Sequence, residues 1–113
     1  MRGAQYDAII LDPPSYGRGP NGETWKLMEQ LYPLLQKISQ LLCASPSFVV
    51  LNTYTPGILP SMLTYMGEYV FTRRFGGSCE SRELGLPLTD SGLVLPAGVT
   101  CRWESWERGK IYV

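Results

Sequence analysis

Apolar and polar residues fall in blocks along this chain, and the internal spacing of each block separates strands from helices. The first block, Tyr6-Asp7-Ala8-Ile9-Ile10-Leu11-Asp12, carries a continuous apolar run closed by a carboxylate and two prolines. Such a run suits a central strand of a parallel sheet, buried on both faces. Pro13 and Pro14 cannot donate to a ladder, so the strand is predicted to stop at Asp12. Residues 15–22 bring glycines, a proline and an asparagine together and predict a flexible or tightly turned loop. The apolar period then changes to threes and fours. Trp25, Met28, Tyr32, Leu35, Ile38 and Leu42 describe one stripe of a helix. Pro33 interrupts it and predicts a kink, or a short helix followed by a second one starting near that proline. Residues 44–47 read as a stop and turn.

Phe48-Val49-Val50-Leu51-Asn52-Thr53 predicts a second buried strand. Thr55-Pro56-Gly57 is expected to open another helix, with Leu59, Met62, Leu63 and Met66 on its inner side. Gly67 should end or loosen that helix, Val70-Phe71 lead out of it, and Gly76-Gly77 make a break. The last third changes character. Cys79 to Leu88 and Leu93 to Trp103 are extended stretches separated by Thr89-Asp90-Ser91-Gly92, a strong turn signal, and predict a long antiparallel hairpin. Trp106 and the Lys110–Val113 tail come after it loosely. The order is strand, helix, strand, helix, hairpin. The first four pieces suit a parallel crossover, and the hairpin is expected to run antiparallel to the rest.

Length and composition narrow the function. The chain has 113 residues, enough for one small core, with lysine plus arginine balancing aspartate plus glutamate. A free-standing nucleic-acid binder usually shows a basic excess, so any contact with RNA or DNA is local or shared with other polypeptide. There is no histidine, and Cys43, Cys79 and Cys101 are widely spaced. These features argue against a zinc site and against a disulfide framework, and predict a reducing, cytoplasmic setting. The cysteines read as small buried or half-buried apolar residues. No stretch has the length of a membrane span.

In open α/β sheets ligands bind outside the carboxyl ends of the parallel strands. Asp12, Thr53 and Tyr54 fall there by this reading. The residues Asp12-Pro13-Pro14-Ser15-Tyr16 closely resemble the Asp/Asn-Pro-Pro-aromatic motif of nucleic-acid methyltransferases. The longer run Tyr6–Gly19, the segment Gly22–Leu27, and the later Glu80–Leu86 and Leu95–Gly98 segments resemble a bacterial branch related to large-subunit ribosomal RNA methyltransferases. The resemblance extends over nearly the whole chain.

The resemblance implies an α/β fold: the second half of a Rossmann-like, class I methyltransferase domain, with parallel strands, helices and a closing antiparallel hairpin. It implies S-adenosyl-L-methionine as cofactor and a base in ribosomal RNA as substrate. By it, Asp12 and Pro13 hold the target amine, Pro14 stiffens the loop, and Tyr16 contacts the base, displaced by one residue because Ser15 comes directly after the prolines. Ser15, Arg18, Lys26, Thr53 and Tyr54 join as substrate-binding candidates, and Asp12 also faces the donor. Trp25 covers the site or anchors the helix. Arg73-Arg74 reads as surface, and Glu80, Arg82 and Glu83 as hairpin surface.

Two departures from the family pattern matter. The glycine-rich donor loop after a first strand is missing. Gly17-x-Gly19-x-x-Gly22 matches its spacing formally, but it comes after the substrate-facing motif and reads as a flexible loop over the active site. Residues 1–113 are therefore expected to be the C-terminal part of a catalytic domain lacking its donor-binding N-terminal half. No cysteine ends the second strand, so a covalent mechanism at a base carbon is disfavoured and amine methylation preferred. Two alternatives stay open: an inactive half-domain that self-associates, as a homodimer, through its exposed sheet edge; and a methyltransferase acting on a protein or small molecule.

Overall fold

The computed structural model describes residues 5–106. Four strands form its main sheet, in the order β1 (Ala8–Leu11), β4 (Phe48–Thr53), β6 (Val94–Glu104), β5 (Ser78–Pro87). The strand β1 runs parallel to β4, with Ala8 opposite Phe48 and Leu11 opposite Leu51. A βαβ crossover joins them through α1 (Leu27–Leu41). On the other side β4 pairs antiparallel with β6, and β6 with β5.

This topology corrects one expectation. The last strand alone is reversed, whereas β5 runs in the same direction as β1 and β4. The chain crosses over from β4 to the outer position of β5, and β6 then turns back into the gap between them. A hairpin inserted by its second strand leaves its first strand parallel to the remainder of the sheet.

The second strand occupies the residues that its pattern predicts, while α1 differs in phase. It is one helix with Pro33 on its exposed side rather than two helices. Its buried residues are Leu27, Leu31, Leu35, Ile38 and Ser39, followed by Leu42 at the cap. Met28 is half exposed, and Tyr32 also faces outward. Trp25 lies before the helix, in a strand. The turn after α1 is tied to the start of β1: Tyr6 N–H donates to the Leu41 carbonyl, Cys43 N–H to the Tyr6 carbonyl, and the Ser47 hydroxyl to the Asp7 carboxylate.

The second helix, α2 (Pro60–Gly67), starts at Pro60, with Leu59 outside it and exposed. Leu63 is its fully buried residue, and Met66 packs half-buried against the core. Gly67 does not end the helical path. The chain continues through a π-helical turn (Glu68–Thr72) into α3 (Arg73–Phe75), so Val70 and Phe71 are core residues inside the path. Gly67 is a point of close approach: a Cβ there would lie 2.4 Å from the Cys79 sulfur. The expected break at Gly76-Gly77 is present, both residues having positive φ.

One core unites these elements. Leucines of α1, with Leu63, Val70 and Phe71, pack on Val49, Leu51, Cys79, Val99, Cys101 and Trp103 of the sheet. Trp103 lies between Phe71 and Phe75, and its indole N–H donates to the Gly76 carbonyl at 2.8 Å. The opposite face, where Ile10, Val50, Glu80, Arg82 and Arg102 project, carries no helix among the described residues. The Arg82–Glu80 pair on that face is well exposed, so it adds little stability. All three cysteines are free, Cys79 and Cys101 being buried with sulfurs 3.5 Å apart. Their hydrogen bond, together with burial, raises the Cys79 thiol above its ordinary value. No described helix is long and apolar enough to cross a membrane. The Lys110–Val113 tail lies outside the described residues.

Candidate functional site

The carboxyl ends of β1 and β4 lie side by side because the two strands are parallel and in register to Leu11 and Leu51. Asp12 and Pro13 leave the first strand at the edge where Thr53 and Tyr54 leave the second. The sheet therefore brings together residues that stand forty positions apart in sequence.

Beyond the prolines, the expected loop is a structured hairpin. Tyr16–Arg18 forms β2 and pairs antiparallel with Thr24–Lys26, which forms β3. Tyr16 stands opposite Lys26, and Arg18 opposite Thr24. Directly opposed residues of a ladder share a face, so Tyr16, Arg18 and Lys26 project together: one exposed aromatic ring and two cations. Gly17 and Trp25 take the other face. Gly22 turns the hairpin at positive φ, and the Gly19 amide donates to the Glu23 carbonyl. The Gly-x-Gly-x-x-Gly spacing is thus the spacing of a β-turn.

The motif is held by three tethers. The Trp25 indole N–H donates to the Pro14 carbonyl at 2.8 Å. The Leu27 amide, the first of α1, donates to the Ser15 carbonyl at 3.0 Å. The Thr55 hydroxyl, on the loop after β4, donates to Ser15 Oγ at 2.5 Å. Two consecutive carbonyls are thereby occupied. By contrast, no hydrogen bond or ion pair from the described residues reaches the Asp12 carboxylate or the Pro13 carbonyl. Asp12 is exposed and Pro13 half-buried.

Other candidates separate by burial. Tyr54 is about half exposed, like Tyr16. Thr53 is 1% exposed, on the core side of β4, and its hydroxyl has no partner among the described residues. It lies beneath the rim rather than on it. Ser15 is exposed, and its hydroxyl is engaged by Thr55.

Three contributors have roles that their sequence pattern does not show. Apolar spacing assigns Trp25 to the helix, yet its indole N–H fixes the motif. Thr55 is an ordinary turn residue by pattern. Gly98, on β6, lies against the back of Tyr54: a Cβ there would be 2.4 Å from the Thr53 carbonyl oxygen and 2.8 Å from the Tyr54 ring. A lone glycine within a strand pattern signals such close approach. Beyond this edge the β5–β6 hairpin projects with Leu86, Leu93, Val94 and Leu95 exposed.

No family model matches the chain, and no curated protein matches it. Solved structures do. The chain is similar to the SAM-dependent methyltransferase from Agrobacterium tumefaciens, at 30% identity over 91% of this chain, with a TM-score of 0.82. It also resembles SMU.776, a candidate methyltransferase complexed with SAH, at 19% identity over 88% of this chain, with a TM-score of 0.58. The second likeness concerns the fold alone. The chain spans 34% of the Agrobacterium protein and 26% of SMU.776.

Proposed function

We propose that this chain is the acceptor-side part of an S-adenosyl-L-methionine-dependent methyltransferase, acting on an amine of a base in RNA, ribosomal RNA first among the candidates. One observation carries the reading. In a motif whose neighbouring carbonyls are occupied, the Asp12 carboxylate and the Pro13 carbonyl remain open at the edge where an α/β sheet binds its ligands. The 30% identity to a SAM-dependent methyltransferase over 91% of this chain supports the same reading.

The chemistry rests on a weakness of aryl amines. The amine's lone pair is delocalised into the ring, so the nitrogen is a weak nucleophile. Two acceptors at the positions of Asp12 and Pro13 take its N–H bonds and favour a pyramidal nitrogen with the lone pair directed outward. Pro14, tethered by Trp25, limits the motion of that loop, so little ordering is left to the reacting state. Tyr16 offers a ring face to the base, and Tyr54 offers a second from across the edge. Arg18 and Lys26, on the Tyr16 face, are placed for phosphate, and Ser15 completes the acceptor rim.

When bound, the donor supplies an electrophilic methyl group. The described residues contain no strand followed by a glycine loop and a helix, so they do not form a donor cradle of their own. Asp12 is the one candidate that would face the donor, and the cradle is expected from further polypeptide, an N-terminal half-domain. The free thiols of Cys79 and Cys101, 3.5 Å apart, suit a reducing, cytoplasmic setting. The test is calorimetric titration of S-adenosylhomocysteine into the polypeptide that carries this sequence in the cell. Saturable binding is expected; absence of binding overturns the reading.

A second reading draws on the edge of the sheet. Among the described residues β1 pairs on one side only, Ile10 is 69% exposed, and an apolar groove opens between Tyr6, Ala8, Ile9, Leu11, Ile38 and Leu41. An apolar strand edge invites pairing, and a homodimer of this chain would cover it. Sedimentation velocity would then show a concentration-dependent dimer that Ile10→Lys abolishes. A monomer at all concentrations removes this reading.

A further inference from the structure

Arg73 and Arg74 join no ion pair among the described residues, yet both are held. The Arg73 guanidinium sits 4.1 Å above the centre of the Tyr69 ring. Arg74 donates from Nη1 to the carbonyl of Ser39 on α1 at 3.0 Å, and its guanidinium lies 4.8 Å from the centre of the Phe75 ring. Aromatic faces and a helix carbonyl thus fix two cations that a plain surface would leave mobile.

The π-helical turn contributes to this arrangement. The Arg73 amide donates to the Glu68 carbonyl, a five-residue span. One extra residue in a turn rotates the succeeding residues by about 100° relative to a straight α-helix. Between the turn and α1 lies a groove of about 320 Å³ lined by Tyr32, Gln36, Ser39 and Tyr69 as well as the two arginines, with no carboxylate in its lining. The groove stands away from the strand-end motif. Helix α1 begins beside Ser15 and ends beside Tyr6, at the opposite end of β1, and Ser39 belongs to its last turn.

We propose that this groove binds a phosphate oxyanion, at a site separate from the acceptor edge. The Arg73 guanidinium, the N–H groups of Arg74 that the Ser39 carbonyl leaves unused, two phenols and one carboxamide bring many donors to one groove. That suits the several oxygens of a tetrahedral anion better than the two of a carboxylate. The phosphate belongs either to a nucleic-acid backbone or to a small free phosphate, and the binding chemistry is the same.

The test is nitrogen-15 NMR of the arginine Nε–Hε groups in the full chain, titrated at constant ionic strength with inorganic phosphate and, separately, with single-stranded oligouridylate. Saturable shifts confined to the Nε–Hε groups of Arg73 and Arg74, with accompanying shifts of the backbone amides of Gln36 and Tyr69 in the same nitrogen-15 spectrum, are expected. In the Arg73→Gln/Arg74→Gln variant the accompanying shifts of the Gln36 and Tyr69 backbone amides should vanish, and in Gln36→Ala saturation should need a higher concentration of titrant. Saturation by oligouridylate at concentrations about tenfold below those of phosphate, with a marked salt dependence, assigns the site to a nucleic-acid backbone. Equal or weaker binding of oligouridylate assigns it to free phosphate. Shifts spread evenly over Arg18, Arg82 and Arg102, or no saturation with either titrant, overturn the proposal. The wild-type pattern decides this even if a variant fails to fold.

Discussion

The indole N–H of Trp25 donates to the carbonyl of Pro14 at 2.8 Å, and this bond ties the strand-end motif to the short strand that leads into α1. Proline has no N–H of its own, so the motif cannot be held by the usual ladder bonds. It is held from outside, through its carbonyls. Trp25→Phe keeps an aromatic ring at this position and removes the donor. The expected cost is about 1 kcal/mol, read as a lower urea midpoint with unchanged slope. Hydrogen exchange at the Leu27 amide, which donates to the adjacent Ser15 carbonyl, should speed up in the same variant. Unchanged exchange would mean that the indole bond does not hold the motif.

Gly98 sets the position of Tyr54. A methyl group at residue 98 would meet the Thr53 carbonyl, which is backbone and cannot rotate away. Gly98→Ala should therefore shift the amide resonances of Thr53 and Tyr54 and cost about 1–3 kcal/mol in stability. Resonances at the strand-end edge that match the wild type would show that the edge tolerates the extra carbon.

The approach of α2 to the sheet depends on a different glycine. Gly67→Ala places a carbon against the Cys79 sulfur and should destabilise by about 1–3 kcal/mol. Cys79→Ala removes that sulfur. The double variant should then be less destabilised than the sum of the single variants, by about 1 kcal/mol. Strict additivity in denaturant unfolding would locate the strain elsewhere.

Thiol chemistry reports on the same core. Cys79 and Cys101 are buried, and their hydrogen bond together with burial keeps the Cys79 thiol protonated. The thiolate is the reactive form. Cys43, half-buried at the end of α1, should therefore be alkylated first by iodoacetamide at neutral pH. The same hydrogen bond lowers the Cys101 thiol, but burial shields it from the reagent, so Cys79 and Cys101 should both react only when the protein unfolds. Mass spectrometry of the labelled chain checks this order, and early labelling of Cys79 would contradict it.

The strands are legible in the sequence because a buried strand needs an unbroken apolar run, and Phe48–Thr53 has one. Strand direction is not: alternation carries no sense of direction, so the parallel course of β5 emerges only with the crossover that places β6 between it and β4. The phase of α1 goes astray from its start. Trp25 is apolar at helical spacing, but it belongs to a strand, and counting from it places Met28 and Tyr32 in the core instead of Leu27 and Leu31. Exposed apolar residues are common enough to make that exchange easy. Propensity alone makes Gly67 a helix terminator, whereas its contact with Cys79 decides its role. At the candidate site, Asp12, Pro13 and Tyr16 are candidates that a contiguous motif singles out. The face shared by Tyr16, Arg18 and Lys26 requires the hairpin, whose strands are three residues each and too short to show alternation.

Asp12 and its neighbours are proposed to hold an amine for methyl transfer. The most direct measurement uses the polypeptide that carries this sequence in the cell: transfer of labelled methyl from S-adenosylmethionine to RNA, compared with Asp12→Ala. Transfer by the wild type is expected, with kcat reduced at least about a hundredfold in Asp12→Ala and stability nearly unchanged. Transfer that persists undiminished in Asp12→Ala, or no methyl acceptance by RNA from an intact donor-bound protein, would contradict the proposal.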